Sequence, residues 1–460
     1  MGSLIGDRFW KRGRILIEAK EQVLEGVPLL PKKETLTGAF FWLSVFYFVY
    51  CARPEDWLPG LSHIPLAKIT GFLALAGLLL SLGKAKRGFR DLPKEGYYLL
   101  ALTALLFVSA AFSPVWRGGA LVRALDFSKV CIVWVLTLLA GNEFARLRRL
   151  IFIQTASVAL ICVVSIAKGH SQPRLDGVLG GIYSNPNDLA FAIVLSLPFC
   201  LAFLMATSSV LRKVAWLFSM FFMLIAVFLT ASRGGFITLV IAGAVCLWHF
   251  GVKGRRFYLI VLAGLLGSVL LLTAGRHVMD RFFAISGEVD TTSDNQAYGS
   301  FEQRKFLMGK ALEGIEHYPL FGVGARNFEV YSTVWREVHM TYLQIAVEGG
   351  IPAALLYILF FFCGFRNLKK LRRRQGTDPN VVLFVGALHS SLVGFVVGAL
   401  FSPEAYQFFP YFAVAYTSAL LAIVEGQERA PLSTVLLSPP RRYSGAYPNT
   451  RGPGVRTLVR

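Results

Sequence analysis

Metal-ligand spacing is absent among the six cysteines, which all fall in or at the edge of apolar runs, so neither a zinc site nor a disulfide framework is expected. They read as small apolar fillers. Gly322-Val-Gly324 lacks both the third glycine and the strand–helix setting of a dinucleotide fingerprint. No repeat of about 20 to 50 residues is visible, and there is no convincing inverted repeat of the transporter kind. Residues 1–36 are charged and amphipathic, without an apolar stretch ending at a small-residue cleavage site. No cleavable signal peptide is therefore expected, and the first apolar helix is the first anchor. Acidic residues are scarce too, 27 against 47 Lys and Arg.

Apolar residues are what the chain has in excess. A soluble chain of 460 residues would form about three domains, but 55% hydrophobic content and a mean hydropathy of +0.56 point to lipid as the main solvent. Runs of about 16 to 25 apolar residues, long enough to cross roughly 30 Å of hydrocarbon as helix, recur from Thr37 to Val424. They do not alternate with period two, which leaves an all-α bundle rather than a barrel. About twelve transmembrane helices are expected, at 37–52, 66–83, 97–113, 126–141, 150–167, 188–207, 215–231, 236–251, 258–274, 341–365, 381–402 and 410–425.

Lys and Arg accumulate in cytoplasmic loops, so charge gives the orientation. With the N-terminus inside, segments 1–36, 84–95, 142–149, 209–214, 252–257, 366–380 and 426–460 hold 32 of the 47 basic and 10 of the 27 acidic residues. Topology thus accounts for the net charge of +20; membrane lipids are the expected partner of the basic segments, and nucleic acid is not needed. Both termini are expected in the cytoplasm. The chain divides into a cytoplasmic segment 1–36, a transmembrane domain 37–425 and a basic, disordered tail 426–460. One large periplasmic loop, 275–340, interrupts the domain. A connection that long reads as functional. Its middle, Ser286 to Ser300, is polar and mobile by composition, and Phe301 to Gly314 fits a short amphipathic helix before the Pro319 to Gly324 turn.

Four polar clusters fall on the outer face. Arg174-Leu-Asp-Gly precedes Asn185-Pro-Asn-Asp188, where a helix N-terminus can receive an anion. Capping alone accounts equally well for Asn187 and Asp188. Ser232-Arg-Gly-Gly235 puts Arg233 between two apolar helices, where an ionisable group marks a functional site unless it snorkels to headgroups. The glycines would let a phosphate approach the backbone. Arg304 lies in the external loop; its planar fork suits phosphate, and with Arg233 it would complete a pyrophosphate clamp. His339 opens the helix that re-enters the membrane, with Tyr342 three residues on and on the same face. It can take a proton near neutral pH, although a boundary histidine is also commonly an interfacial residue. Glu348, near the opposite face, is structural unless Gly349 and Gly350 break the helix. The external motifs hold no cation cluster; Asp290 and Asp294 belong to the polar stretch.

Asn185-Pro-Asn-Asp-Leu-Ala, Ser232-Arg-Gly-Gly, Arg304 with Pro319-Leu-Phe-Gly-Val-Gly, and His339 followed by Tyr342-Leu-Gln and Glu348-Gly-Gly-Ile resemble, in this order, the O-antigen ligase and O-antigen polymerase superfamily, which includes pilin O-oligosaccharyltransferases. The resemblance spans roughly residues 150–400. It implies a bacterial inner-membrane glycosyltransferase that takes a glycan from undecaprenyl pyrophosphate at the periplasmic face, with no metal or other cofactor. The acceptor would be lipid A-core, a growing glycan or another hydroxyl. Family roles carry Arg233 and Arg304 to pyrophosphate binding, Arg174 to a third cation, and His339 to the acceptor hydroxyl. Asn185, Asn187, Tyr342 and Glu404 take supporting positions, Glu404 as the acidic residue of a late external loop. A transporter or flippase of a lipid-linked saccharide is the alternative; it should show polar groups along a path between the two faces, whereas these clusters crowd one end.

Overall fold

Caps and prolines set where the helices begin. In the computed structural model, which describes residues 36–81, 92–168, 174–175, 181–183, 185–283, 292–374 and 378–429, every long element is a helix. They are α1 (Thr37–Ala52), α2 (Leu66–Ser81), α3 (Lys94–Phe112), α4 (Arg117–Ala140), α5 (Phe144–Lys168), α6 (Pro186–Ala206), α7 (Val210–Leu229), α8 (Arg233–Leu247), α9 (Tyr258–Phe283), α10 (Thr292–His317), α11 (Thr341–Arg373), α12 (Pro379–Gly398) and α13 (Phe408–Arg429). α6 and α12 start alike: Asn185 and Asp378 accept hydrogen bonds from the amides two residues on, and Pro186 and Pro379 fill the first helical position. α8 ends in a π-helical turn, Trp248–Lys253.

Among the described residues, eight helices are long and apolar enough to cross a membrane: α3, α5, α6, α7, α8 with its π turn, α11, α12 and α13. The expected first, second and ninth spans correspond to shorter apolar helices. The expected span 126–141 overlaps α4, which begins nine residues earlier, ends at Ala140, and carries Arg117, Arg123, Asp126 and Lys129 in its first half. Those charges keep it outside the eight.

α6, α8 and α12 pack against one another, α3 lies against α4 and α11, and α1 against α2 and α5. The interior is rich in aromatics; Tyr47 stacks on Phe412 at 4.3 Å, and Phe361 on Phe395 at 4.3 Å. α9 turns Val261, Leu265 and Leu272 outward, as a lipid-facing helix does.

The segment 275–340 contains more helix than its composition suggested. α9 continues through Phe283, and α10 starts at Thr292 rather than near 301. Polar residues such as Asn295 and Gln296 are compatible with helix once the apolar stretch from 301 onward supplies a nucleus. Residues 284–291, Asp290 among them, and the side chain of Asp294 lie outside the described residues, as do 1–35 and 430–460.

The turn Pro319–Gly324 is clipped onto α11 where that helix breaks. Gly350 adopts φ 84°, ψ 170°, and interrupts the helix one residue before Ile351-Pro352. The freed backbone is taken up by the turn: Val323 N donates to Val347 O at 2.8 Å, Gly324 N to Glu348 O at 3.0 Å, and Ile351 N to Pro319 O at 2.8 Å. The two glycine motifs are halves of one clasp.

Candidate active site

Reversal between α7 and α8 takes three residues. Thr230 ends α7, Ala231 adopts a left-handed φ of 46°, and Ser232 caps α8 by accepting from Gly235 N at 3.1 Å. Arg233 is thereby held at the first position of α8, half-buried at one end of the bundle. Gly234 and Gly235 permit close packing there. A Cβ at Gly234 would lie 2.6 Å from Phe401 Cβ, and one at Gly235 2.7 Å from Ala190 Cβ.

Arg174, in the connection from α5 to α6, is fastened at both ends of its guanidinium. Nε donates to Thr230 O at 2.8 Å, and Nη2 donates to Asn187 Oδ1 at 3.0 Å. Leu175 N adds a bond to Leu229 O at 3.0 Å. The α7–α8 turn and the start of α6 are thus bound to the same short segment. Asn187 accepts from Arg174 while its own amide donates to the cap Asn185.

Arg304 approaches on α10, and Arg336 and His339 on the loop before α11. Arg336 Nη1 donates to Gln303 Oε1 at 2.8 Å, which ties that loop to α10. The far wall is the turn after α12, with Phe401 and Ser402. Its position is fixed by α11: Thr341 N donates to Ala399 O at 2.8 Å, and Thr341 Oγ1 to Ser402 O at 2.6 Å. These elements enclose a cavity of about 200 Å³ lined by Arg174, Arg233, Arg304, Arg336, His339, Asn185 and Asn187, with Ser232, Gly234 and Gly235.

Among the described residues, four guanidinium groups and no carboxylate line this space. The environment acts strongly on the imidazole: burial, then the Arg304 and Arg336 charges, lowers the His339 pKa from 6.5 to about 4. His339 is therefore neutral at pH 7. Its Nδ1 is buried and has no hydrogen-bond partner among the described residues, so none of their carboxylates holds that nitrogen as in a triad. Chemically the cavity can hold a polyanion and offer a neutral base beside it.

Six residues singled out in the sequence meet here: Arg174, Asn185, Asn187, Arg233, Arg304 and His339. Tyr342 does not line the cavity; its hydroxyl donates to Val396 O at 2.9 Å and holds α12. Glu404 lies behind the wall. Its amide donates to Thr341 Oγ1 at 2.9 Å, and its carboxyl accepts from Ser402 Oγ at 2.8 Å. Burial, with Asp188 nearby, pushes that carboxyl well above the usual range. Glu348 is fully buried, accepts from Tyr406 Oη at 2.6 Å, and does not line the cavity. Sequence reasoning passed over Arg336, although its place three residues before His339 in the same loop was a usable signal.

Residues 218–358 match the model of the family described as O-Antigen ligase. The O-antigen ligase and polymerase resemblance read from the motifs is thereby supported, over a shorter stretch than 150–400. The matched stretch contains Arg233, Arg304, Arg336, His339 and Tyr342, and leaves Arg174, Asn185, Asn187 and Glu404 outside. No curated protein matches the chain. Among solved structures, one chain from work described as "Structural coordination of polymerization and crosslinking by a peptidoglycan synthase complex" aligns at 14% identity, over 73% of this chain and 97% of that one, with a TM-score of 0.40. A likeness that low carries no argument here.

Proposed function

We propose that this protein is a bacterial inner-membrane glycosyltransferase that moves a glycan from undecaprenyl pyrophosphate to an acceptor hydroxyl at the periplasmic face, with inversion and without a metal. The observation that carries the reading is the convergence of four arginines and a neutral histidine on one cavity at a bundle end, within and around a segment matched to the O-antigen ligase family.

The acceptor oxygen attacks the anomeric carbon as the bond from that carbon to the phosphate oxygen breaks. Negative charge grows on the departing undecaprenyl pyrophosphate. Arg233, Arg304 and Arg336 stabilise that charge most where it is largest, in the transition state. Arg174 is already engaged by Thr230 and Asn187, so it shapes the cavity and adds its field. The acceptor proton passes to His339. A group titrating near 4 is by itself a weak base, but a bound pyrophosphate offsets the arginine charges and raises its basicity, so the base strengthens when the donor is in place. At about 200 Å³ the cavity is smaller than the roughly 300–1,000 Å³ of drug-sized sites. It suits a diphosphate and the first sugar edge, with the remaining glycan outside.

Purified full-length protein, given undecaprenyl-pyrophosphate-linked glycan and an acceptor, should form product in EDTA. Loss of transfer with chelator and recovery with Mg²⁺ or Mn²⁺ would overturn the metal-free mechanism. A deletion strain separates the two family activities: accumulated lipid-linked polymer marks a ligase, capped single repeats a polymerase.

A further inference from the structure

A second cationic cavity lies at the opposite end of the bundle. α5 and α6 join at the candidate active site, so the α6–α7 connection, Thr207 to Ser209, falls at the other end. There Arg148 and Arg149 on α5, Arg212 on the first turn of α7 and Thr207 line a cavity of about 280 Å³. Its apolar wall is aromatic. Phe203 and Trp216 stack at 4.8 Å with 9° between planes, and Phe152 meets Trp216 edge-on at 5.6 Å.

The layering follows the chain directions. Arg148 and Arg149 belong to the second turn of α5 and Arg212 to the first turn of α7, while Phe152 and Trp216 lie about a turn deeper. Charges at the boundary above aromatic rings is the arrangement of a membrane–water interface. Arg148 is held in place from inside, its guanidinium 5.7 Å from the Phe203 ring and 6.0 Å from that of Phe384. None of the three arginines forms an ion pair with a carboxylate among the described residues. The Thr207 hydroxyl oxygen is buried with no partner among them. Phe152, which lines the cavity a turn below the arginines, is itself exposed, so the cavity offers an apolar surface towards the bilayer interior as well as charge at the boundary.

We propose that this cavity binds the phosphate headgroup of an anionic glycerophospholipid, with Arg148, Arg149 and Arg212 around the phosphate and an acyl chain over the exposed Phe152 ring below them. Free phosphate shares the headgroup's charge but lacks the chains that Phe152 would contact. A zwitterionic lipid has the chains but carries a compensating cation. The anionic lipid alone satisfies both the arginines and the exposed aromatic edge of the cavity.

The test is native mass spectrometry of the full chain in detergent, titrated with phosphatidylglycerol or phosphatidylcholine. One phosphatidylglycerol should be retained in preference, unaffected by millimolar inorganic phosphate. Arg148→Gln with Arg149→Gln and Arg212→Gln should weaken its retention about tenfold or more. Arg366→Gln with Arg372→Gln and Arg373→Gln, basic residues outside the cavity, should leave it unchanged. Equal loss in both triple variants would reduce the effect to diffuse surface charge and overturn the site. Equal retention of the two lipids, or displacement by inorganic phosphate, would overturn it as well. Should the first triple variant fold poorly, Arg149→Gln with Arg212→Gln, both exposed, gives the same reading through loss of the phosphatidylglycerol-dependent rise in Tm.

Discussion

Arg174 donates to the Asn187 side chain at 3.0 Å, and through this bond the connection leaving α5 is held to the first turn of α6. The same guanidinium also grips the Thr230 carbonyl beside Arg233. Arg174→Lys keeps the charge and loses this two-point geometry. We expect Arg174→Lys and Asn187→Ala each to slow transfer, and the double variant to be no slower than Arg174→Lys alone. A double-mutant cycle on initial rates checks this; additive losses would mean that the two residues act independently.

Arg233, Arg304 and Arg336 should be less replaceable than their charge alone implies. Lysine at any of them removes a planar fork suited to two phosphate oxygens. Each Lys variant should lower kcat by about tenfold or more while inserting normally. Wild-type rates in all three would remove the arginine clamp.

His339 is expected to act on the acceptor. His339→Ala should nearly abolish turnover and leave donor affinity close to wild type; an equal fall in both would place it with the pyrophosphate ligands. The pH dependence follows from the sign of its shift. The neutral ring is the working form, so kcat/KM should be flat from pH 8 to 6 and fall as pH drops towards about 4. With donor bound, the fall in kcat should come at higher pH. Stability has the same sense: an unfolded histidine near 6.5 binds the proton that the folded one, near 4, refuses, so this contribution is lost as pH falls from 6.5 towards 4. His339→Ala should flatten that slope in a Tm-against-pH series.

Gly350 tests the clasp without touching the cavity. A Cβ there would lie 2.3 Å from the Leu320 carbonyl oxygen, and the φ of 84° is unfavourable for any L side chain. Gly350→Ala should cost about 1–3 kcal/mol or more and lower Tm, with transfer reduced in step with folded protein. A Tm equal to wild type would show that the turn at 319–324 is not held as described.

Topology is checked by reporter fusions. The charge asymmetry predicts a periplasmic signal after Ser293 and a cytoplasmic one after Gly426. A cytoplasmic signal at Ser293 would put the four-arginine cavity on the side away from a periplasmic acceptor.

Local chemistry in the sequence was enough to locate most of the helices, though not the early start of α10, because apolar run length, caps such as Asn185 and Ser232, and prolines at first helical positions act over a few residues. Residues as far apart as Arg174 and His339 could be nominated for one site because alternating helices send them to the same end. Membership of the cavity was decided only by tertiary structure. Tyr342 shares a helix with the histidine's end of the chain yet bonds to Val396, Glu404 turns behind Ser402, and Arg336 enters because its loop is tied to Gln303. The pairing of Gly350 with the Pro319–Gly324 turn was likewise invisible, since each motif read alone is just a glycine-rich turn. Which side chain faces a shared cavity depends on contacts between distant segments, and no pattern within a single segment encodes them.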